Sequence, residues 1–276
     1  MKKKKFMIRN FWHRIKMDSI KIAHIINPVK VEKGHPAYLD IAQPITFKSM
    51  LEAKSYAARR GLQVDLFSVQ FNNADASIVP DGFTILPHFE KSIQDFHDFN
   101  VKFNPLPRVH DIIQALYQNS KAQYFIYTNA DIGLHRDFYV KMLDLTNEGY
   151  DAICVNRRDV PKKVNGKVLT EEDLELIYQL EGERHPGWDT FVFKRENVPL
   201  MKFRNVFVGF MPVGKVIFNQ VKINSRKLKW IEDGVKNKLT FHLGTDAYTH
   251  KKNAPKVNYK FDEYHEYNSA QAKGLI

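Results

Sequence analysis

Tyr124-Phe-Ile-Tyr-Thr-Asn-Ala-Asp-Ile132 is apolar for four residues and then turns abruptly polar. An unbroken apolar run suits a central strand of a parallel sheet, and a polar switch at its end suits a strand whose carboxyl end opens into a crevice. Other runs frame it. Ile22-Ala-His-Ile-Ile-Asn-Pro28 reads as a first buried strand ended by proline, Val64–Phe71 as a second and Phe83–Pro87 as a third, with 72–82 as loop. Helical stretches fall between them. One covers Ile45–Arg60 and is closed by Gly61. One follows Pro107 to about Asn119 with Val109, Ile112, Ile113 and Leu116 as its stripe. One covers 136–148 and ends at Gly149. Asp151–Asn156 is a further strand, Arg157–Gly166 reads as basic and turn-rich, and Thr170-Glu-Glu-Asp opens an acidic helix. Strands at 190–193, 227–231 and 239–243 and a helix at 213–221 complete the pattern. Alternating strand and helix predicts an α/β chain, a three-layer α/β/α sandwich with a mainly parallel central sheet, Rossmann-related.

With 276 residues, 43% of them apolar, the chain can bury the core of one large domain. Its formal net charge of +11 is unevenly placed. Residues 1–21 hold eight Lys and Arg against one Asp, and the other 255 residues carry 34 basic against 30 acidic side chains. A whole-domain nucleic-acid surface loses its support, and nucleic acid is not an expected partner. The single cysteine, Cys154, excludes an internal disulfide and a cysteine-based zinc cluster, so a reducing cytoplasmic compartment is expected. No stretch reaches the roughly 18 apolar residues of a membrane span, and Arg9, His13 and Arg14 interrupt any signal-peptide core. As a helix, Ile8, Phe11, Trp12 and Ile15 would share one face ringed by basic residues, the pattern of a helix lying on an anionic membrane surface. A solubilising tail is the alternative. The expected organisation is a basic amphipathic tail at 1–21, one domain at 22–246 and an extension at 247–276 without clear periodicity.

Three polar islands stand at strand ends. In Thr128-Asn-Ala-Asp-Ile-Gly133, Asp131 can hold a hard divalent cation that neutralises a diphosphate, or else cap a turn or the next helix. In His185-Pro-Gly-Trp-Asp189 a carboxylate or histidine can take the proton of an attacking hydroxyl, and the Trp188 face can stack on a sugar ring. A plain Pro-Gly turn with Asp189 bonded to its own backbone is the alternative. Phe241-His-Leu-Gly-Thr-Asp246 is the third, where His242 is either a ligand or a structural histidine.

The strand, the motif Asn129-Ala130-Asp131, the apolar residue after it and the helix that follows resemble the D-x-D region of nucleotide-sugar-dependent glycosyltransferases of the GT-A fold. Asn129 stands at the first acidic position. The resemblance spans about residues 22–246 and implies a GT-A-like domain. It implies Asp131 and His242 as ligands of a divalent cation, Mn2+ or Mg2+, manganese tolerating nitrogen better. It implies a nucleotide-sugar donor held by Asn27, Pro28, Arg108, Asp111, Asn129 and Asp131, with Arg108 able to pair with a phosphate. Asp189 would be the catalytic base, and His185, Trp188 and Asp246 would bind the acceptor. The implied enzyme moves a sugar to a glycan or lipid-linked acceptor, in surface-polysaccharide or glycolipid synthesis, at the inner face of the membrane through residues 1–21. Inversion follows if Asp189 is a base, and retention if it only binds acceptor. The alternative of another class is a non-catalytic membrane- or nucleic-acid-binding protein that uses the tail.

Gly209-Phe-Met-Pro-Val-Gly214-Lys215 fits a P-loop spacing. Val216 stands where Ser or Thr would bind magnesium, and Pro212 removes a backbone donor, so an ATPase is rejected. A nucleotidyltransferase is disfavoured because Asn27-Pro28-Val29-Lys30 is no glycine-rich phosphate loop.

Overall fold

Lys21–Ile26 (β1) alternates its side chains between two cores, Ile22 and Ile26 facing one and Ala23 and Ile25 the other, as the two-residue period of a strand requires. The computed structural model describes residues 20–96, 105–203, 205–209, 213–233 and 236–244. β1 lies between Gln63–Ser68 (β2) and Tyr124–Thr128 (β4), parallel to both, and Phe83–Ile85 (β3) extends the sheet beyond β2. Glu183–Lys194 (β9) runs antiparallel between β4 and Ala152–Val160 (β6). Leu228–Ile231 (β10) lies parallel to the first half of β6 and Thr240–Leu243 (β11) to its end. Gly133–Leu134 (β5) closes the far edge, giving the order β3-β2-β1-β4-β9-β6-β11-β5 with β10 beside β6. Lys163–Val164 (β7) and Lys167–Val168 (β8) form a separate hairpin.

Helices Val109–Asn119 (α3) and Val213–Ile223 (α6) cover one face, where Ile112, Leu116, Ile217 and Val221 meet Phe125, Phe191 and Phe193. Leu39–Ala58 (α1) and Phe138–Asn147 (α4) cover the other, packing Phe47, Met50, Phe138 and Met142 on Ile126, Ile153 and Val192. The expected three-layer sandwich with a mainly parallel sheet is the observed architecture. Two short helices, Asn73–Ala76 (α2) and Leu174–Gln179 (α5), lie in the connections, α2 within the segment read as loop.

Three longer elements also differ in extent from the sequence reading, each through tertiary burial. α1 starts at Leu39 and carries Pro44 inside it. Proline removes one helical donor, and burial of Ala42, Ile45 and Phe47 offsets that loss. β6 continues to Val160 instead of stopping at Asn156. Its charged residues are buried with partners: Arg157 donates from Nε to Asp159 at 2.9 Å, and Arg158 donates to the Leu180 and Glu181 carbonyls. β9 starts at Glu183, so His185–Asp189 lies within a strand rather than in a turn before one. Register shifts around Asn156 absorb the irregularity, and the Asn156 amide donates to the carbonyls of Pro186 and Gly187 at 3.0 and 2.9 Å. Residues 1–19 and everything after Gly244, including all but the last two residues of the basic tail, Asp246 and the C-terminal extension, lie outside the described residues, and Lys21, the last residue of the expected tail, opens β1. Among the described residues no helix is long and apolar enough to cross a membrane.

Candidate active site

Because β9 is antiparallel to its neighbours, its first half lies beside the carboxyl ends of β4 and β6, where open α/β sheets place their crevices. This brings two of the sequence islands into contact. Asn129, just past β4, donates from Nδ2 to Asp189 Oδ1 at 2.9 Å, and the buried Tyr127 hydroxyl donates to Asn129 Oδ1 at 3.2 Å. The amide at position 129 thus orients Asp189. A carboxylate there would confront another at hydrogen-bond distance.

The third island joins through β11. His242, 4% exposed, has Nε2 at 3.4 Å from Asp131 Oδ2, and its Nδ1 donates to the Gly244 carbonyl at 2.8 Å with Asp159 Oδ1 at 3.5 Å. Burial opposes the imidazolium, but the bonds to Asp131 and Asp159 outweigh it and hold the His242 pKa up at about 9. Burial pushes the Asp131 carboxyl upward, yet His242 and Arg157 hold it below its ordinary value. With Nδ1–H anchored on a carbonyl, the neutral ring would present Nε2 beside a carboxylate oxygen, a donor pair that fits a divalent cation and suits Mn2+ better than Mg2+. Among the described residues no group of three or more His, Cys, Asp and Glu forms an ion site.

Arg157 and Asp159 on β6 are site residues that the sequence reading missed. Arg157 Nη1 lies 3.5 Å from Asp189 Oδ2 while Nε holds Asp159, and its Nη2 is buried without a hydrogen-bond partner. Burial raises the Asp189 pKa and Arg157 opposes that rise only in part. Burial and Arg157 together lower that of His185, whose Nδ1 accepts from the Gly187 amide at 2.9 Å. The signal was present in Val155-Asn-Arg-Arg-Asp159, which switches from apolar to polar as β4 does.

The remaining expected residues are placed as follows. Asn27 bridges the ends of β1 and β2 by donating to the Val69 carbonyl at 2.8 Å, and Pro28 is buried beside it. Arg108 spends its guanidinium on a two-bond pair with Asp111, at 2.8 and 2.7 Å, and on the Phe96 ring, so these two meet each other rather than the Asp131 cluster. Trp188 is stacked on Phe218 of α6 with ring centroids 4.4 Å apart. The Gly214 position of the P-loop-like segment has a packing role instead, since a Cβ there would stand 2.4 Å from the Trp188 carbonyl oxygen.

No family model and no curated protein sequence matches the chain. Its likeness is to solved structures. It is similar to S. aureus TarS 1–349 in complex with UDP-GlcNAc at 8% identity and a TM-score of 0.48, covering 86% of this chain and 62% of that one. The chain therefore spans less than two thirds of that TarS structure. It is similar also to glucosyl-3-phosphoglycerate synthase from Mycobacterium tuberculosis in complex with Mn2+, UDP and phosphoglyceric acid, at 12% identity and a TM-score of 0.45, with coverages of 88% and 74%. A putative glucose-1-phosphate thymidylyltransferase from Bacillus anthracis matches at 10% identity and a TM-score of 0.44, with coverages of 83% and 91%. With each of these TM-scores below 0.5, the chemistry rests on this chain's own residues.

Proposed function

We propose that the chain is a glycosyltransferase that moves a sugar from a nucleotide-sugar donor to a glycan or lipid-linked acceptor, with residues 22–246 as its catalytic domain. The observation that carries this is the meeting of Asn129, Asp131, Asp189 and His242 at one end of the sheet, through the 2.9 Å Asn129–Asp189 bond and the 3.4 Å Asp131–His242 contact. Asp131 and His242 would hold a divalent cation, Mn2+ or Mg2+, which when bound supplies positive charge to the leaving diphosphate.

Asp189 is the base of this reading. It accepts the proton of the acceptor hydroxyl as that oxygen bonds to the anomeric carbon, and the bond to the diphosphate breaks with its electron pair leaving on the nucleotide. Direct displacement inverts the anomeric centre. Its raised pKa makes Asp189 a better proton acceptor than an ordinary carboxylate, Asn129 orients it, and Arg157 favours its ionised form. Arg157 Nη2, buried and unpartnered, is a ready donor to a phosphate oxygen. Residues 1–21 would hold the enzyme on an anionic membrane surface, fitting surface-polysaccharide or glycolipid synthesis.

Thermal-shift measurements against UDP, GDP, CMP and dTDP species, each with manganese, magnesium or EDTA, test the reading on the wild type and Asp131→Ala. A shift with one nucleotide that needs metal and vanishes in the variant supports it. No shift with any nucleotide transfers the weight to a non-catalytic binding protein.

A further inference from the structure

We propose that Trp230 is the platform on which a carbohydrate acceptor stacks, a pyranose ring lying on its exposed face; this rests on the glycosyltransferase reading and assigns its acceptor class. Trp230 is the third residue of β10 and has 47% of its surface exposed, the largest apolar ring among the described residues to stand so far into solvent. It is not loose. Its indole N–H donates to Asn156 Oδ1, and its ring lies 6.0 Å from Trp188 and 6.3 Å from Phe218. Asn156 is fully buried, and its Nδ2 donates to the Pro186 and Gly187 carbonyls. One amide therefore ties the plane of Trp230 to the strand segment that carries Asp189.

Trp188, the platform suggested by sequence, has Phe218 stacked on it with an interplanar angle of 19°. The open aromatic surface of this cluster is that of Trp230. A sugar needs an apolar surface for its C–H face and polar partners at its edge. Both are at hand. The half-exposed pair Arg184–Glu232, at 2.6 Å, joins the start of β9 to the residues just after β10. Asn156 is a positioning residue here, acting through the indole it orients.

The test is a glycan array probed with the full chain, W230A and W230F, followed by titration of the strongest glycan, beside the nucleotide-sugar thermal shift on the same three proteins. Truncating an aromatic anchor is expected to weaken glycan binding about tenfold or more in W230A, while W230F, which keeps a ring but loses the bond to Asn156, falls between. The nucleotide-sugar shift stays at its wild-type value in both, while the melting temperature falls in both because the buried Asn156 Oδ1 loses its donor. Glycan affinity unchanged in either variant overturns the platform, as does a wild-type chain that binds no glycan on the array. W230F keeps the packing of the cluster, so it decides the matter even where W230A unfolds. Glycan binding through Trp230 without any nucleotide-sugar shift would sink the transferase reading and leave the platform standing.

Discussion

Asn129→Asp puts a carboxylate two residues before Asp131, and the structure says what that costs. The new carboxylate would stand 2.9 Å from Asp189 Oδ1, replacing a hydrogen bond by a like-charge contact. Coulomb's law at an effective dielectric of about 20 gives roughly 6 kcal/mol of repulsion at that distance. Proton uptake caps the penalty, because keeping one carboxyl of ordinary pKa near 3.9 neutral at pH 7 costs about 4 kcal/mol. After relaxation the expected destabilisation is ~2–4 kcal/mol at pH 7, or roughly 5–15 °C in melting temperature for a chain of this size. The new acid pair has a folded-state pKa raised above its unfolded one, so the penalty appears as pH rises and shrinks to about 1.5 kcal/mol at pH 5. Melting curves of wild type, N129D and the uncharged N129L from pH 5 to 8 read this directly. N129D melting like wild type at pH 7, or showing a deficit that grows on acidification, would refute the reasoning.

Asp189→Asn should lower the transfer rate about 100- to 10,000-fold while the nucleotide-sugar thermal shift stays, because the base is lost and the donor contacts are not; turnover assays check it. His24, fully buried between Tyr139 and Thr128 at 2.8 and 2.9 Å, has its pKa lowered by burial to about 3. Its contribution is therefore present above its unfolded pKa of about 6.5 and lost as pH falls toward 3, on the order of 4–5 kcal/mol in full, and His24→Gln should flatten the acid limb of the stability curve. Gly214→Ala sets a Cβ at 2.4 Å from the Trp188 carbonyl oxygen, and the forced shift of α6 should cost ~1–3 kcal/mol in urea unfolding.

Strand positions were legible because an apolar run reports burial wherever it occurs. β1, β2, β3 and β4 all fall where their runs stand, and α3 begins just after Pro107 as read. The Thr128–Asp131 switch marked the carboxyl end of β4 for the same reason. β6 was cut short because Arg157, Arg158 and Asp159 read as surface until their partners are known. Those partners, Leu180, Glu181 and Asp189, lie 22 to 32 positions away in the chain. Trp230 was not singled out from the sequence, and only the fold shows that nearly half of it stands in solvent.

Local patterning by itself determined the layers, since side-chain periodicity needs only nearest neighbours to be read. It also marked Asp131, Asp189 and His242 as polar groups at the margins of buried strands. Tertiary structure alone decided that β9 runs antiparallel between β4 and β6, and that insertion sets Asp189 against Asn129 and Arg157. Strand direction and order arise from pairing free energy between distant segments, and no local window of the sequence contains both partners.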